Sequence, residues 1–344
     1  MIYFQCDYTE GAHPLIMEKL MQTNLEQSPG YGYDVYCDSA KAKIRKACGN
    51  ENVDVHFISG GTQTNLIAIA SMLRPYEAVI SAVEGHIACH EVGAIEATGH
   101  KVIAITSEDG KISAEQVRFY CNDFETSPDR DFMVKPGMVY ISYPTESGTL
   151  YTKQEIIDIR KVCDEYNIPL YIDGARLGYG LASEKCDITL PEIAELCDMF
   201  YIGGTKCGAY IGEALVIVND KYKPCYRGLI KQRGAMLAKG RLMGIQFDTL
   251  FTDGLYFDIC KNAVKQAMRI RKAFEDVGVP IWGSSFTNQQ FPIMTKAQLD
   301  RFEGKFAYEY WGKYDEDRTI VRFCTCWATK DENVDALIET IKTL

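Results

Sequence analysis

Five short stretches carry side chains that can do chemistry, and each follows an apolar run. "PLYID" (169–173) ends on a carboxylate, Asp173, and "GAR" then brings Arg176. "MFYIG" (199–203) is followed by "GTKCGA", which sets Lys206 among small residues. A lysine in such surroundings can lose its proton and act as an amine nucleophile. "VDVHFI" (53–58) runs into "SGGTQTNL". There Gly60 and Gly61 permit a tight turn and close approach of backbone to a ligand, and Thr62 is placed to cap a helix whose first N–H groups suit a phosphate. "EAVIS" (77–81) runs into "AVEGHIACHEVGA", with His86 and His90 four apart and Glu91 next. "GMVYIS" (137–142) runs into "YPTESGTLYT", which holds one carboxylate, Glu146.

Taken alone, each stretch has a plainer reading. Asp-Gly is a turn dipeptide, and an Asp173–Arg176 pair is equally well structural. Most lysines are solvated, and Glu146 alone reads as a loop glutamate. Two histidines four apart suit a metal, but no third ligand is evident and the HExxH order is absent, so no metal is expected. Position decides between these readings, because ligands of open α/β sheets bind beyond the carboxyl ends of the strands. A phosphate turn, a histidine able to stack, an aspartate and a lysine fall at the strand ends of one sheet. That is the set pyridoxal phosphate needs: a lysine for the Schiff base, a carboxylate for the pyridinium nitrogen and a cradle for the phosphate. Lys206 and Asp173 fill the first two roles.

The elements that must hold these residues are legible as a rhythm. Seven candidate strands, the five above with "KVIAI" (101–105) and "ALVIV" (214–218), are short and rich in β-formers. Several are apolar throughout, as strands buried on both faces tend to be. Helical patterns such as 64–73 and 153–167 lie between them, and in the latter Ile156, Ile157, Ile159, Val162 and Cys163 share one face. The alternation predicts a doubly wound α/β domain with a mostly parallel seven-stranded sheet flanked by helices. From about residue 246 the rhythm changes to a long helical stretch (253–278), strand-like pieces at 289–294 and 318–324, and a terminal helix. The expected division is a large domain, 1–245, and a small C-terminal α+β domain, 246–344.

With these motifs together, the chain resembles the threonine aldolase and β-eliminating lyase family, of the aspartate aminotransferase fold. The resemblance is carried by "YDVYCDS", "SGGTQTNL", "EGHIACHEVGA", "YIDGARL" and "GGTKCGA". It implies a pyridoxal phosphate-dependent lyase acting on an amino acid. Gly61 and Thr62 resemble the phosphate-binding turn, and Thr205 a small hydroxyl near that phosphate. His86 resembles the histidine that stacks on the cofactor ring, Asp173 the partner of the ring nitrogen, and Lys206 the Schiff-base lysine. Arg176 and Arg322 resemble two arginines that hold the substrate carboxylate. Tyr36 resembles an active-site tyrosine, and Arg241 an arginine that reaches the phosphate, often of a neighbouring subunit. The resemblance therefore implies a homodimer or homotetramer with sites at subunit interfaces. The chain departs from the threonine aldolases where these usually carry a histidine that helps deprotonate the substrate's β-hydroxyl, for Glu146 stands there. It also reads "CDY" (6–8) where the family has "SDT".

The implied reaction is retro-aldol cleavage of a β-hydroxy-α-amino acid to glycine and an aldehyde, with β-elimination as the alternative and transamination behind it. A nicotinamide-binding reading fails on the motif, because "SGGTQTN" is not GxGxxG. A net charge of −10 argues against a nucleic-acid partner, which needs clustered cations. No run is long enough to cross a bilayer, and no secretory signal is visible. Thirteen scattered cysteines without a CxxC pair point to reduced thiols and a cytoplasmic location.

Overall fold

The computed structural model describes residues 1–344. The chain opens with a short strand, β1 (Ile2–Tyr3), and two helices, α1 (Pro14–Gln22) and α2 (Val35–Ala47). Strands and helices then alternate: β2 (Asp54–Ile58), α3 (Gly61–Met72), β3 (Glu77–Ala82), α4 (His86–Cys89), β4 (Lys101–Ile105), α5 (Ala114–Thr126), β5 (Lys135–Ser142) and α6 (Lys153–Glu165). They continue as β6 (Leu170–Asp173), α7 (Leu177–Leu181), α8 (Leu190–Leu196), β7 (Met199–Gly203) and β8 (Glu213–Ile217). Three helices follow, α9 (Tyr226–Gln232), α10 (Arg241–Leu250) and the long α11 (Leu255–Asp276). The remainder is β9 (Gln289–Gln290), β10 (Ile293–Thr295), α12 (Lys296–Leu299), β11 (Phe306–Ala307), β12 (Glu309–Lys313), β13 (Arg318–Cys324) and α13 (Asp331–Ile341).

Seven strands form one mixed, mostly parallel sheet in the order β2-β8-β7-β6-β5-β3-β4. Only β8 runs against its neighbours. Strands β3, β6, β7 and β8 are buried along their whole lengths, which is why they read as unbroken apolar runs. Because β2, β3, β5, β6 and β7 point the same way, the loops after them all open on one edge.

Side chains fix several of the helix starts. Asp34 caps α2, and capping boxes of Ser113 with Gln116 and Thr152 with Glu155 begin α5 and α6. Thr62 does not cap α3, contrary to the sequence expectation. Gly60 holds that place with extended backbone and no side-chain cap, and Thr62 is the second helical residue. The turn out of β2 is two residues shorter than a threonine cap would need, so the first N–H groups of α3 have no side-chain acceptor.

Two glycines let the loops after β6 and β7 press together. A Cβ on Gly174 would lie 1.8 Å from the Tyr201 carbonyl oxygen, and one on Gly203 would lie 2.2 Å from that of Ala175. Gly203 N–H donates to the Gly174 carbonyl at 2.9 Å. From α11, Tyr256 Oη donates to the Gly203 carbonyl at 3.0 Å and accepts from Gly178 N–H at 3.1 Å. The long helix thus braces both loops.

The small unit is an antiparallel sheet, β10-β13-β12 with β9 also on β13. Its core joins Phe274, Phe302, Phe306 and Phe323 to Phe4 from the first residues of the chain. Strand β1 pairs parallel with β11. The 245/246 division falls inside α10, and we propose the small unit as α11 to α13 with residues 2–4 added.

Candidate active site

Asp173 closes β6 and is buried. It has no charged partner in contact. Oδ2 accepts from Tyr140 Oη at 2.7 Å and Asn65 Nδ2 at 2.9 Å, and Oδ1 accepts from Ala175 N–H at 3.0 Å. The pair with Arg176 that the sequence allowed is not made. Arg176 instead binds Asp7 through two nitrogens, at 2.6 and 3.0 Å. Asn288 Nδ2 also donates to Asp7 at 2.9 Å. Burial alone would raise the Asp7 carboxyl, but Arg176, with Lys206 and Asn288, holds it well below the usual carboxylate range. A buried carboxylate of this kind needs such a partner.

His86 opens the short α4, and its Nδ1 lies 2.8 Å from Glu91 Oε1. Its backbone N–H donates to Glu146 Oε1 at 2.9 Å, and Ser142 Oγ donates to the same oxygen at 2.7 Å. Both internal bonds of the Glu146 carboxylate thus fall on one oxygen, leaving Oε2 for the cavity that Glu146 lines. Burial raises the Glu146 pKa and the nearby Asp173 adds to this, while the Ser142 bond and His86 oppose it.

Lys206 follows β7. Burial lowers its pKa and the Arg176 charge lowers it further, against Asp7, Asp173 and Glu213. Tyr179 Oη donates to the Lys206 carbonyl, fixing the backbone from which the amine projects. Thr205 Oγ1 accepts from Gly212 N–H at 3.0 Å. Glu213, at the start of β8, accepts from Gly204 N–H at 2.8 Å, and burial pushes its carboxyl up to about 7.

Lys206, His86, Glu146, Arg176 and Arg322 line one cavity of about 640 Å³. Tyr8, Tyr310 and Trp311 also line it, and Arg322 stacks over Trp311 at 5.3 Å. Arg322 also donates to Gln289 Oε1 at 3.0 Å and the Gln5 carbonyl at 2.9 Å. A second cavity of about 660 Å³, beside α11 and α13, holds none of these residues. Asp173 lies behind the cavity wall, joined to it through Asn65 and Glu91. Gly61 and Thr62 stand at the open start of α3. Tyr36 and Arg241 are outside the cavity and both bind the segment at 23–26. Tyr36 Oη donates to Glu26 Oε2 at 2.5 Å, and Arg241 donates to the carbonyls of Glu26 and Thr23.

The residues present suit pyridoxal phosphate on three counts: an uncapped α3 start for a phosphate, a carboxyl group held by neutral donors in Asp173, and a partly desolvated amine in Lys206. Several residues of the site escaped the sequence reading. Asp7 lies in the quoted "CDY" and Glu91 directly follows His90, so their positions were visible but their partners were not. Asn65, Tyr140 and Glu213 sit within α3, β5 and β8, where only a polar side chain inside an apolar pattern marks them.

A sequence model of the β-eliminating lyase family matches residues 4–307. The low specificity L-threonine aldolase of Pseudomonas sp. (strain NCIMB 10558) is 27% identical over 346 residues, covering 98% of this chain and 96% of that protein. The low specificity L-threonine aldolase of Saccharomyces cerevisiae is 24% identical over 82% of this chain and 72% of its own. A solved Leishmania major threonine aldolase superposes with a TM-score of 0.97 at 43% identity, covering 100% of this chain and 99% of that one. A Thermus thermophilus aspartate aminotransferase superposes at 0.73 with 14% identity over 100% of this chain and 92% of its own, a likeness of fold alone.

Proposed function

The chain belongs to the β-eliminating lyase family, and we propose that it is a threonine aldolase-like lyase, cleaving β-hydroxy-α-amino acids to glycine and an aldehyde with pyridoxal phosphate. One observation carries the proposal: Lys206, Glu146, His86, Arg176 and Arg322 surround a single cavity on the loop edge of the sheet. The threonine aldolase names of the relatives along the full chain support it.

Bound there, the cofactor supplies an electron sink for the charge left at Cα when a bond to it breaks. The chain's own residues do the rest. The Lys206 amine, its proton affinity reduced by burial and Arg176, holds the cofactor aldehyde. Asp173, whose side chain meets neutral donors and no competing cation, would pair with the ring nitrogen. Gly61, Thr62 and Thr205 would hold the phosphate, and His86 would stack on the ring. Arg176 and Arg322 hold the substrate carboxylate, with Asp7 bracing Arg176. That grip sets which Cα bond stands ready to break. Glu146 Oε2 takes the β-hydroxyl proton, and burial raises its proton affinity toward that task.

Arg241 and Tyr36 act in a neighbouring subunit's site, in a homodimer or homotetramer. Exposed Met21, Leu25 and Val35, near the segment these two bind, support that assembly. No helix is long and apolar enough to cross a membrane. The thirteen free cysteines support a reducing compartment, the cytoplasm.

The test is to incubate the pyridoxal phosphate-loaded protein with L-threonine, L-allo-threonine, serine, cysteine, tyrosine and tryptophan, and to identify products by proton NMR. Glycine with acetaldehyde from threonine is expected. Pyruvate without glycine would make it a β-eliminating enzyme and overturn the proposal.

A further inference from the structure

Glu91 has no part in the chemistry assigned so far, yet its side chain is wholly removed from solvent. Its Oε1 meets Nδ1 of His86 at 2.8 Å and accepts from Asn65 Nδ2 at 2.7 Å. The same Asn65 nitrogen donates its other hydrogen to Asp173 Oδ2 at 2.9 Å. Tyr171 Oη completes the amide at Asn65 Oδ1, 3.0 Å away. Glu91 Oε2 is buried with no hydrogen-bond partner.

These contacts decide which atom carries which proton. The amide of Asn65 is oriented by Asp173, so Nδ2 is the side that faces Glu91. Oε1 is therefore an acceptor already, and any proton on this carboxyl would sit on Oε2. Hence Nδ1 of His86 is the donor in the remaining contact, and Nε2 carries the lone pair whenever the ring is neutral. The bridging amide also ties this arrangement to Asp173. The two groups read as meeting the cofactor, His86 and Asp173, are thus linked by three contacts in series: His86 to Glu91, and Glu91 and Asp173 each to the single Asn65 nitrogen.

Resting on the function proposed above, we propose that Glu91 is the positioning residue that sets the tautomer and tilt of His86 and locks it to Asp173 through Asn65. Removing the carboxylate frees the ring to turn and to take the Nε2–H form that imidazole prefers in solution. A glutamine keeps one oxygen acceptor at the same reach and preserves the tautomer.

The decisive experiment is long-range 1H–15N NMR of histidine-labelled, cofactor-free protein, with His86 assigned from the signal missing in His86→Asn. The wild type is expected to show the Nδ1–H form, Glu91→Gln to keep it, and Glu91→Ala to move to Nε2–H. A wild-type His86 protonated at Nε2, or a Glu91→Ala spectrum unchanged at His86, would overturn the proposal. The wild-type spectrum decides even where the alanine variant does not fold. With no cofactor present, failure here is separate from failure of the proposed function. Pyridoxal phosphate titration then reads the consequence. Glu91→Ala should bind about tenfold more weakly, the loss of one charge-assisted hydrogen bond, and Glu91→Gln should recover most of it. Equal affinity in all three would refute the link to the cofactor site.

Discussion

Glu146 is the residue on which the direction of cleavage turns. One of its oxygens is fixed by Ser142 and by His86 N–H, so the carboxylate is aimed rather than loose. Glu146→Gln should lower retro-aldol turnover by about 10²–10⁴-fold, the usual worth of a positioned base, with cofactor affinity retained. Since burial raises this group's pKa, the wild-type rate should climb with pH above the ordinary carboxylate range, and the glutamine variant should lose that limb. A pH–rate profile of both proteins checks this. Asp7 makes a second case. Asp7→Ala leaves the Arg176 guanidinium buried and unpaired, at a cost of about 3–5 kcal/mol in urea denaturation. The folded Asp7 pKa is depressed, so its contribution is present above the unfolded value and fades as pH falls below about 4. The gap between wild type and variant should therefore narrow in acid. The sequence shows Asp173, Arg176 and Lys206 because each follows an apolar run. It hides that Arg176 answers to Asp7, whose place in the chain is 169 residues away.

At the scale of elements, the inner strands of the large sheet were legible because strands covered on both faces are apolar throughout, while the part-buried edge strands β2 and β4 showed only as short runs of β-formers. Less of the rest was legible. Strand β1 has two residues and gains its meaning from β11, at the other end of the chain. The start of α3 was misread because threonine is a good cap, while the structure uses a bare glycine and leaves the helix end open. The contact between the β6 and β7 loops is likewise invisible in one dimension, though both glycines were in plain view. Gly203→Ala forces a Cβ to 2.2 Å from a carbonyl oxygen. We expect a loss of at least about 1–3 kcal/mol, as for an overpacked site, and weaker cofactor binding as Lys206 moves. Gly228→Ala, within α9, meets nothing within 4 Å and should gain about 0.5–1 kcal/mol. Thermal denaturation and pyridoxal phosphate titration of the two variants compare the predictions.

Across the whole molecule, buried titrating groups pull stability in opposite directions. His56 is buried and its pKa lowered to about 3, so the unfolded chain binds its proton first and stability falls as pH drops below about 6.5. Glu213 is raised to about 7, above its unfolded value, so folding is favoured while it stays protonated. That contribution is lost as pH rises through 7. Glu213→Gln keeps an acceptor for Gly204 N–H and removes the titration. Its stability relative to wild type should improve between pH 5 and pH 8 by on the order of 3 kcal/mol, measured by denaturation of the cofactor-free protein. An unchanged difference across that range would refute the assignment. In the proposed reaction all these parts serve one amine, that of Lys206. The most direct measurement is to reduce the pyridoxal phosphate-loaded protein with borohydride and find the modified peptide by mass spectrometry. A single pyridoxyl adduct on Lys206 is expected. An adduct on another lysine, or none, would contradict it.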